Sequence, residues 1–322
     1  MRAAHVTQIG TPPSPATLPS PMAGEGQSLI SVTAAPLNPV ELRVAAGRMP
    51  GSLVPYVPGL EGVGTIVESA NFPVGTRVRF ENDLPGFGKD GSIRELAVAD
   101  DDGIVEVPDA VGDNEAAAVG VIGVTSELAY RLAGMTGGER VAVLGATGGV
   151  GHMAVQLAAA RGGEAVVAVG RNRPGLDWLE SHGATASVDL SETADLTTAL
   201  EEAAGGPLDI VIDSLWGEPA MGAIGALADG GRLVNVGNTA GTDVDLPLQA
   251  MRKARSAVIG LSSGWTPLPD KLDAFRYVLQ LMAEGEVTVR HEVEPLDAIT
   301  RAWQRQGGFP HAKLVISVQS ST

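Results

Sequence analysis

The stretch VAVLGATGGVGHMAVQLAAARGG, Val141–Gly163, decides the fold. A short apolar run of strand type enters a cluster of glycines, and an alanine-rich pattern of helical period follows. Gly145, Gly148 and Gly151 recur there at three-residue intervals. Because the chain has 42 glycines among 322 residues, the spacing needs support from its surroundings. A GxxGxxG variant of the dinucleotide fingerprint requires a strand before it, a helix opening on it and a second strand after it. All three are readable here. In such a turn Gly145 permits the tight bend, Gly148 lets the backbone approach a pyrophosphate, and Gly151 allows close packing of helix on strand. The ligand's charge would meet free N–H groups at the positive end of the helix. Thr147, Gly149 and Val150 complete the expected cofactor-binding loop.

Outward from this turn, strands and helices alternate between Arg140 and Ser262. Strands are expected at Val141–Leu144, Ala165–Val169, Ala186–Val188, Ile210–Asp213, Arg232–Val236 and Ala257–Leu261. Helices are expected around Gly149–Arg161, Gly175–His182, Ser191–Ala203 and Pro219–Ala228. Six strands with helical crossovers predict an α/β fold with a doubly wound parallel sheet. The N-terminal hundred or so residues differ: short β-type runs are broken by Pro- and Gly-rich punctuation such as TPPSPATLPSP and MPGSLVPYVPG, the texture of a compact β-rich domain. The reading divides the chain into residues 1–118, a central 119–262 that holds the alternating region, and a C-terminal return over 263–322. The return comprises a good helix, KLDAFRYVLQLMAEG, then a strand, a helix and a strand.

Composition excludes several classes. At 44% hydrophobic and 19% charged, the chain is of ordinary globular type. A net charge of -16 offers no basic footprint for nucleic acid. With no cysteine there are no disulfides, thiol nucleophiles or cysteine–zinc sites, and the five histidines form no HxH or HExxH pair, so no metal is expected. No run reaches the roughly 18 apolar residues of a membrane span, and the N-terminal segment lacks the apolar core of a secretion signal. The expectation is a cytoplasmic protein without membrane association.

The end of the second strand bears on the choice of dinucleotide. A cofactor lacking the 2′-phosphate usually meets a carboxylate roughly 20 residues beyond the glycines. Here VVAVGRNRPG offers none; Arg171 and Arg173 flank Asn172 instead. Guanidinium groups suit a phosphate through bidentate, charge-assisted bonds, so NADPH is expected over NADH. Both arginines would otherwise be solvated residues before the next helix.

Segments in order along nearly the whole chain carry a family resemblance: APLNPVELRVAAGRMP, PYVPGLEGVGTIVES, GSIRELAVAD, AAAVGVIGVTSELAY, the glycine turn, DIVIDSLWG, GGRLVNVGNTAG and the closing AKLVISV. The chain resembles the medium-chain dehydrogenase/reductase superfamily, specifically its zinc-free quinone oxidoreductase (zeta-crystallin-like) branch. The resemblance implies a GroES-like catalytic domain built from both termini, a central Rossmann domain, and an active site in the cleft between them. Where zinc-dependent alcohol dehydrogenases carry a ligand cysteine and a Gly-His-Glu motif, this chain reads LNPVELR and Gly59-Leu60-Glu61.

The implied activity is NADPH-dependent hydride transfer to a quinone or an enone, with no metal. Alternatives are an enoyl-thioester reductase or a non-catalytic NADPH-binding relative. Asn38 matches an asparagine near nicotinamide and substrate; its amide could donate to a carbonyl, or its place before a proline could be turn chemistry. Thr125 matches a threonine at the nicotinamide end, or bonds its own helix backbone. Gly237 and Asn238 follow a strand's C-terminal end, where ligands collect in open sheets. Ser262 and Ser263 qualify by position alone. Arg43 stands where relatives often have a tyrosine, Gly175 where they have a lysine near the 2′-phosphate, and Asp189 where a tyrosine can stack on adenine. Arg43, Tyr56 and Trp265 are candidate substrate-pocket residues, with Arg48 a further cation able to attract an anionic substrate. A homodimer is implied, through edge pairing of the AVIGLSS strand.

Overall fold

The computed structural model describes residues 1–308 and 310–319. From the N terminus run β1 (Arg2–His5), β2 (Ser14–Thr17), β3 (Gln27–Pro36), α1 (Pro39–Ala45), β4 (Glu61–Glu68), β5 (Arg77–Glu81), β6 (Leu96–Asp100), β7 (Ile104–Glu106) and the long helix α2 (Asp113–Ala133). The alternating region follows as β8 (Arg140–Leu144), α3 (Gly149–Ala160), β9 (Ala165–Gly170), α4 (Arg173–Glu180), β10 (Ala186–Asp189), α5 (Leu196–Ala204), β11 (Leu208–Asp213), α6 (Gly217–Gly225), β12 (Leu227–Asn235), α7 (Leu248–Ala254) and β13 (Ala257–Gly260). The described chain closes with α8 (Leu268–Ala283), β14 (His291–Pro295), α9 (Ile299–Gly307) and β15 (Lys313–Ser317).

The chain forms two units, one of Met1–Val121 with Val289–Thr322 and one of Ile122–Thr288. In the first, β14, β15, β3, β4, β5 and β7 follow one another across a mixed sheet, and β6 also pairs with β3. This is the GroES-like unit. Its core gathers alternate residues of these strands, among them Ile30, Val32, Ile66, Val78, Phe80, Leu314 and Ile316, under Trp303 of α9. The C-terminal strand is integral: Val315–Ser317 of β15 pairs with Pro36–Ala34 of β3.

In the second unit the sheet runs β10-β9-β8-β11-β12-β13, parallel throughout, with the order reversing between β8 and β11. This is the Rossmann arrangement, and its β8 and β9 are buried on both faces, as parallel strands covered by helices must be. The unit extends further than the sequence suggests, to Thr288 rather than 262. The reason is in α8: its Asp273 pairs with Arg131 of α2 at 2.6 Å, and its Tyr277 lies under the Arg161 guanidinium. Gln156 of α3 then brackets the backbone of Thr288, accepting from its N–H and donating to its carbonyl, each at 2.9 Å. Among the described residues α2 is the one helix long and apolar enough for a membrane span, and 83% of that stretch is buried against protein.

Candidate functional site

The glycine turn is built as a cradle. Gly145 follows β8 at φ +75, in the left-handed region, where a side chain would also meet Ser214 Oγ at 2.7 Å. The N–H groups of Gly145 and Ala146 both donate to the Val169 carbonyl of β9, which pins the turn to the neighbouring strand. A Cβ on Gly151 would meet the carbonyl oxygen of Gly145 and lie 2.6 Å from Cα of Ala146, so α3 can sit this close to β8 only with glycine there. Gly148 caps α3 with no side-chain bond, and no acidic residue stands in the first turn. The N–H groups of a 12-residue helix therefore open into the loop without a protein partner at the cap. The residues fit a dinucleotide's pyrophosphate. Thr147 is buried, with its methyl near Gly170 and Gly175. A Cβ on Gly175 would lie 2.9 Å from that methyl and 2.8 Å from Asn172 Oδ1, which excludes a lysine at this position.

At the end of β9 the three expected residues separate in role. Asn172 caps α4, its Oδ1 accepting from the Gly175 N–H at 2.7 Å. Arg173 is engaged by its own surroundings: it pairs with Asp177 at 2.5 Å and Glu180 at 3.2 Å and reaches Ser187. Arg171 is exposed and has no partner among the described residues. Of the two guanidiniums, that of Arg173 is engaged in ion pairs and that of Arg171 is not.

Asp213, which no motif had singled out, organises the neighbouring strand ends. Buried at the end of β11, it accepts from the N–H groups of Leu215 and Trp216 and from Asn235 Nδ2 of β12 at 2.8 Å. Asn235 in turn donates to the Gly237 carbonyl at 2.7 Å, so one carboxylate fixes both the 214–217 turn and the loop of Gly237 and Asn238. Burial pushes the Asp213 pKa up, against the pull of its donors. Trp216 sits at φ +58, a conformation rare for an aromatic residue, and the two backbone bonds to Asp213 hold this turn. Thr125 of α2 donates to Ser263 Oγ at 3.1 Å, which joins two of the expected residues in one contact.

The first unit carries a second constellation. The side chain of Asn38, 2% exposed, bonds outward from its own helix: its Oδ1 accepts from Lys313 Nζ at 2.5 Å and its Nδ2 donates to Glu61 Oε1 at 3.3 Å. Glu61 also accepts from Arg79 at 2.7 Å and from the Val121 N–H at 3.1 Å. Glu41 takes the N–H groups of Asn38 (2.8 Å) and Leu60 (2.6 Å), which ties the start of α1 to the segment before β4. Burial pushes the Glu41 pKa up to about 7 and draws that of Lys313 down. Lys313 and Arg79 were not visible as site residues in the sequence, because their partners Asn38 and Glu61 lie on other elements, and Glu41 and Glu81, beside Asn38 and Arg79 in the chain, belong to no motif that marks them as such.

The remaining candidates differ in their surroundings, and Tyr56 lies within the field of the Glu41 carboxylate. Tyr56 is buried in the first unit's core, and its hydroxyl has no hydrogen-bond partner among the described residues. Arg43 and Arg48 are exposed. Trp265 is 92% exposed, so nothing in its own unit makes it a pocket wall.

The chain thus joins a Rossmann unit with a phosphate-type turn to a GroES-like unit. Two family profiles match: "Alcohol dehydrogenase GroES-like domain" over residues 24–109 and "Zinc-binding dehydrogenase" over residues 149–284. The chain is 33% identical over 114 residues to the "Zinc-type alcohol dehydrogenase-like protein C337.11" of Schizosaccharomyces pombe, an alignment covering 35% of each, so it matches only about a third of that relative's length. It is 28% identical to a quinone oxidoreductase of Pseudomonas aeruginosa over 79% of this chain and 78% of that one. The solved quinone oxidoreductase of Thermus thermophilus, also described in complex with NADPH, superposes with a TM-score of 0.82 at 26% identity, covering 98% of this chain and 100% of that chain. The chain belongs to the medium-chain dehydrogenase/reductase superfamily, in its zinc-free quinone oxidoreductase branch.

The zinc named by one profile does not fit these residues. Around Gly59-Leu60-Glu61 the Glu61 carboxylate is already bonded to a guanidinium, that of Glu41 is taken up by the N–H groups of Asn38 and Leu60, and an ammonium lies within the field of both. Among the described residues no group of three or more His, Cys, Asp or Glu could hold a metal.

Proposed function

We propose that the chain is an NADPH-dependent reductase that transfers hydride to a quinone or an α,β-unsaturated carbonyl compound without a metal. The observation that carries the reading is the β8–α3 turn, a glycine-lined helix N-terminus with no side-chain cap, followed by a β9 end that offers Arg171 and no carboxylate. When bound, the reduced nicotinamide supplies the hydride that an electron-poor carbon accepts. The cradle of Gly145 to Gly151 binds the pyrophosphate, and Arg171 pairs with the 2′-phosphate. The Asn38 amide donates to the acceptor's carbonyl oxygen as charge develops there, and Thr125, fixed by Ser263, stands at the nicotinamide end. Likeness to the Thermus protein and its NADPH complex supports this choice of cofactor.

The test is the loss of reduced-nicotinamide absorbance with a panel of quinones, enones and enoyl thioesters. Turnover of quinones or free enones is expected, faster with NADPH than with NADH. Preference for the thioesters would move the assignment to an enoyl-thioester reductase. Tight NADPH binding with no turnover of any acceptor would mark a non-catalytic relative. We also propose a homodimer formed along the open edge of β13.

A further inference from the structure

We infer that Lys313 is a positioning residue that sets the direction of the Asn38 amide and strengthens it as a hydrogen-bond donor. This rests on the proposed role of Asn38 toward the acceptor's carbonyl.

An asparagine amide offers a carbonyl at one end and an NH2 at the other, so its orientation decides whether it donates to a ligand or accepts from one. An ammonium has three donors and no acceptor, and a neighbouring asparagine must therefore turn Oδ1 toward it. Here the contact is 2.5 Å, and both partners are buried. Nδ2 then faces away from Lys313. One of its hydrogens makes the longer bond to Glu61 at 3.3 Å, and the other has no partner among the described residues. Glu61 cannot follow Asn38 if the amide turns, because Arg79 and the Val121 N–H already hold its two oxygens. A cation on the carbonyl end also draws electron density through the amide and makes its N–H groups more positive.

The topology is what brings the two together. Strand β15 pairs antiparallel with the end of β3, and Leu37 N–H donates to the Leu314 carbonyl at 2.9 Å. The first residue of β15 therefore lies beside the residue that caps α1. A buried ammonium is costly unless it is paired, and the groups facing it are Asn38, Glu41 of α1 and Glu61 of β4, with Arg79 and Glu81 of β5 beyond. A lysine placed there only to fill space would be better replaced by an apolar residue.

The experiment is a double-mutant cycle in the full-length protein with Lys313→Met, Asn38→Ala and both together. NADPH affinity is read by nicotinamide fluorescence, and kcat and KM are measured with a quinone or enone. Lys313→Met is expected to lower kcat by about 10- to 100-fold while leaving the NADPH Kd within about twofold. In the Asn38→Ala background the same substitution is expected to change kcat by less than about twofold. An equal loss in both backgrounds overturns the inference, because Lys313 would then act independently of Asn38.

A second readout needs no turnover. In protein labelled with 13C at asparagine side-chain carbonyls, the Asn38 resonance is expected to be the most deshielded and to shift upfield in Lys313→Met. A wild-type resonance among those of exposed asparagines such as Asn238 overturns the inference even if the variant fails to fold. A wild type that reduces no acceptor removes the reductase reading, and this carbonyl resonance still decides the Lys313–Asn38 contact.

Discussion

Arg171 and Arg173 stand two positions apart and carry different loads. Arg173 closes ion pairs with Asp177 and Glu180 on its own helix, whereas Arg171 projects from the end of β9. Arg171→Glu should therefore raise the KM for NADPH about tenfold or more with little change for NADH. Arg173→Ala should leave both cofactors within about twofold, since exposed ion pairs contribute little even to stability. Equal effects on NADPH and NADH in the Arg171 variant would show that it does not read the 2′-phosphate. Glu41 gives a different signature. Burial raises its pKa from 4.5 to about 7, so the folded protein holds a proton that the unfolded chain releases at lower pH. The stability this contributes is fully present below about 4.5 and is lost as pH rises through about 7. Urea midpoints at several pH values should fall across that window in the wild type and less steeply in Glu41→Gln; identical slopes would refute the assignment. The sequence exposes Arg171 because a missing carboxylate after a strand is a local pattern. Lys313 is hidden because its partner is 275 residues away in the chain.

Among the elements, the glycine turn separates packing from binding. A Cβ at Gly148 would stand 3.3 Å from the Gly145 carbonyl, tight but open to a small adjustment, and at an ordinary φ of -85. A Cβ at Gly151 would strike backbone of Gly145 and Ala146, which cannot yield without moving α3 off β8. Gly148→Ala is therefore expected to melt within a few degrees of the wild type yet bind NADPH at least about tenfold more weakly, since its methyl enters the space assigned to the pyrophosphate. Gly151→Ala is expected to lose on the order of 1–3 kcal/mol of stability, the usual cost of overpacking. Calorimetry beside a fluorescence titration distinguishes them, and a Gly148→Ala protein with unimpaired affinity would contradict the cradle. The Rossmann strands were legible because buried parallel strands read as unbroken apolar runs; Ile210–Asp213 is expected and Leu208–Asp213 is found. Helix α7 was not, because the seven residues Leu248–Ala254 bury none of their number fully and pack against the core through Met251, too short a pattern to show a helical period. For α1 the start signals were present, Asn38 followed by Pro39 and Glu41, but a seven-residue helix beginning at Asn-Pro looks locally like a turn.

At the scale of the whole chain, the two-unit division was legible only in part. The β-rich and alternating textures differ visibly, but the return to the first unit depends on where α8 packs, and the contacts of Asp273 and Tyr277 leave no periodic mark. The same scale holds the question of assembly. Strand β13 ends the parallel sheet, and its Val258 and Ile259 are only partly covered. A bare apolar edge invites another strand. Because Leu261 N–H bonds to the Asn235 carbonyl of β12, the alternation along β13 turns the N–H of Val258 toward the free edge. Val258→Pro should remove an edge donor while leaving the ladder to β12 intact. Sedimentation velocity at micromolar concentration should give a dimer for the wild type and a monomer for this variant, with little change in far-UV circular dichroism. The charge of -16 per chain makes the two copies repel, so the wild-type dimer should tighten as salt rises from about 10 mM to 0.15 M, where the screening length falls from about 30 to 8 Å. A wild type that sediments as a monomer under both conditions would leave the β13 edge without its proposed partner.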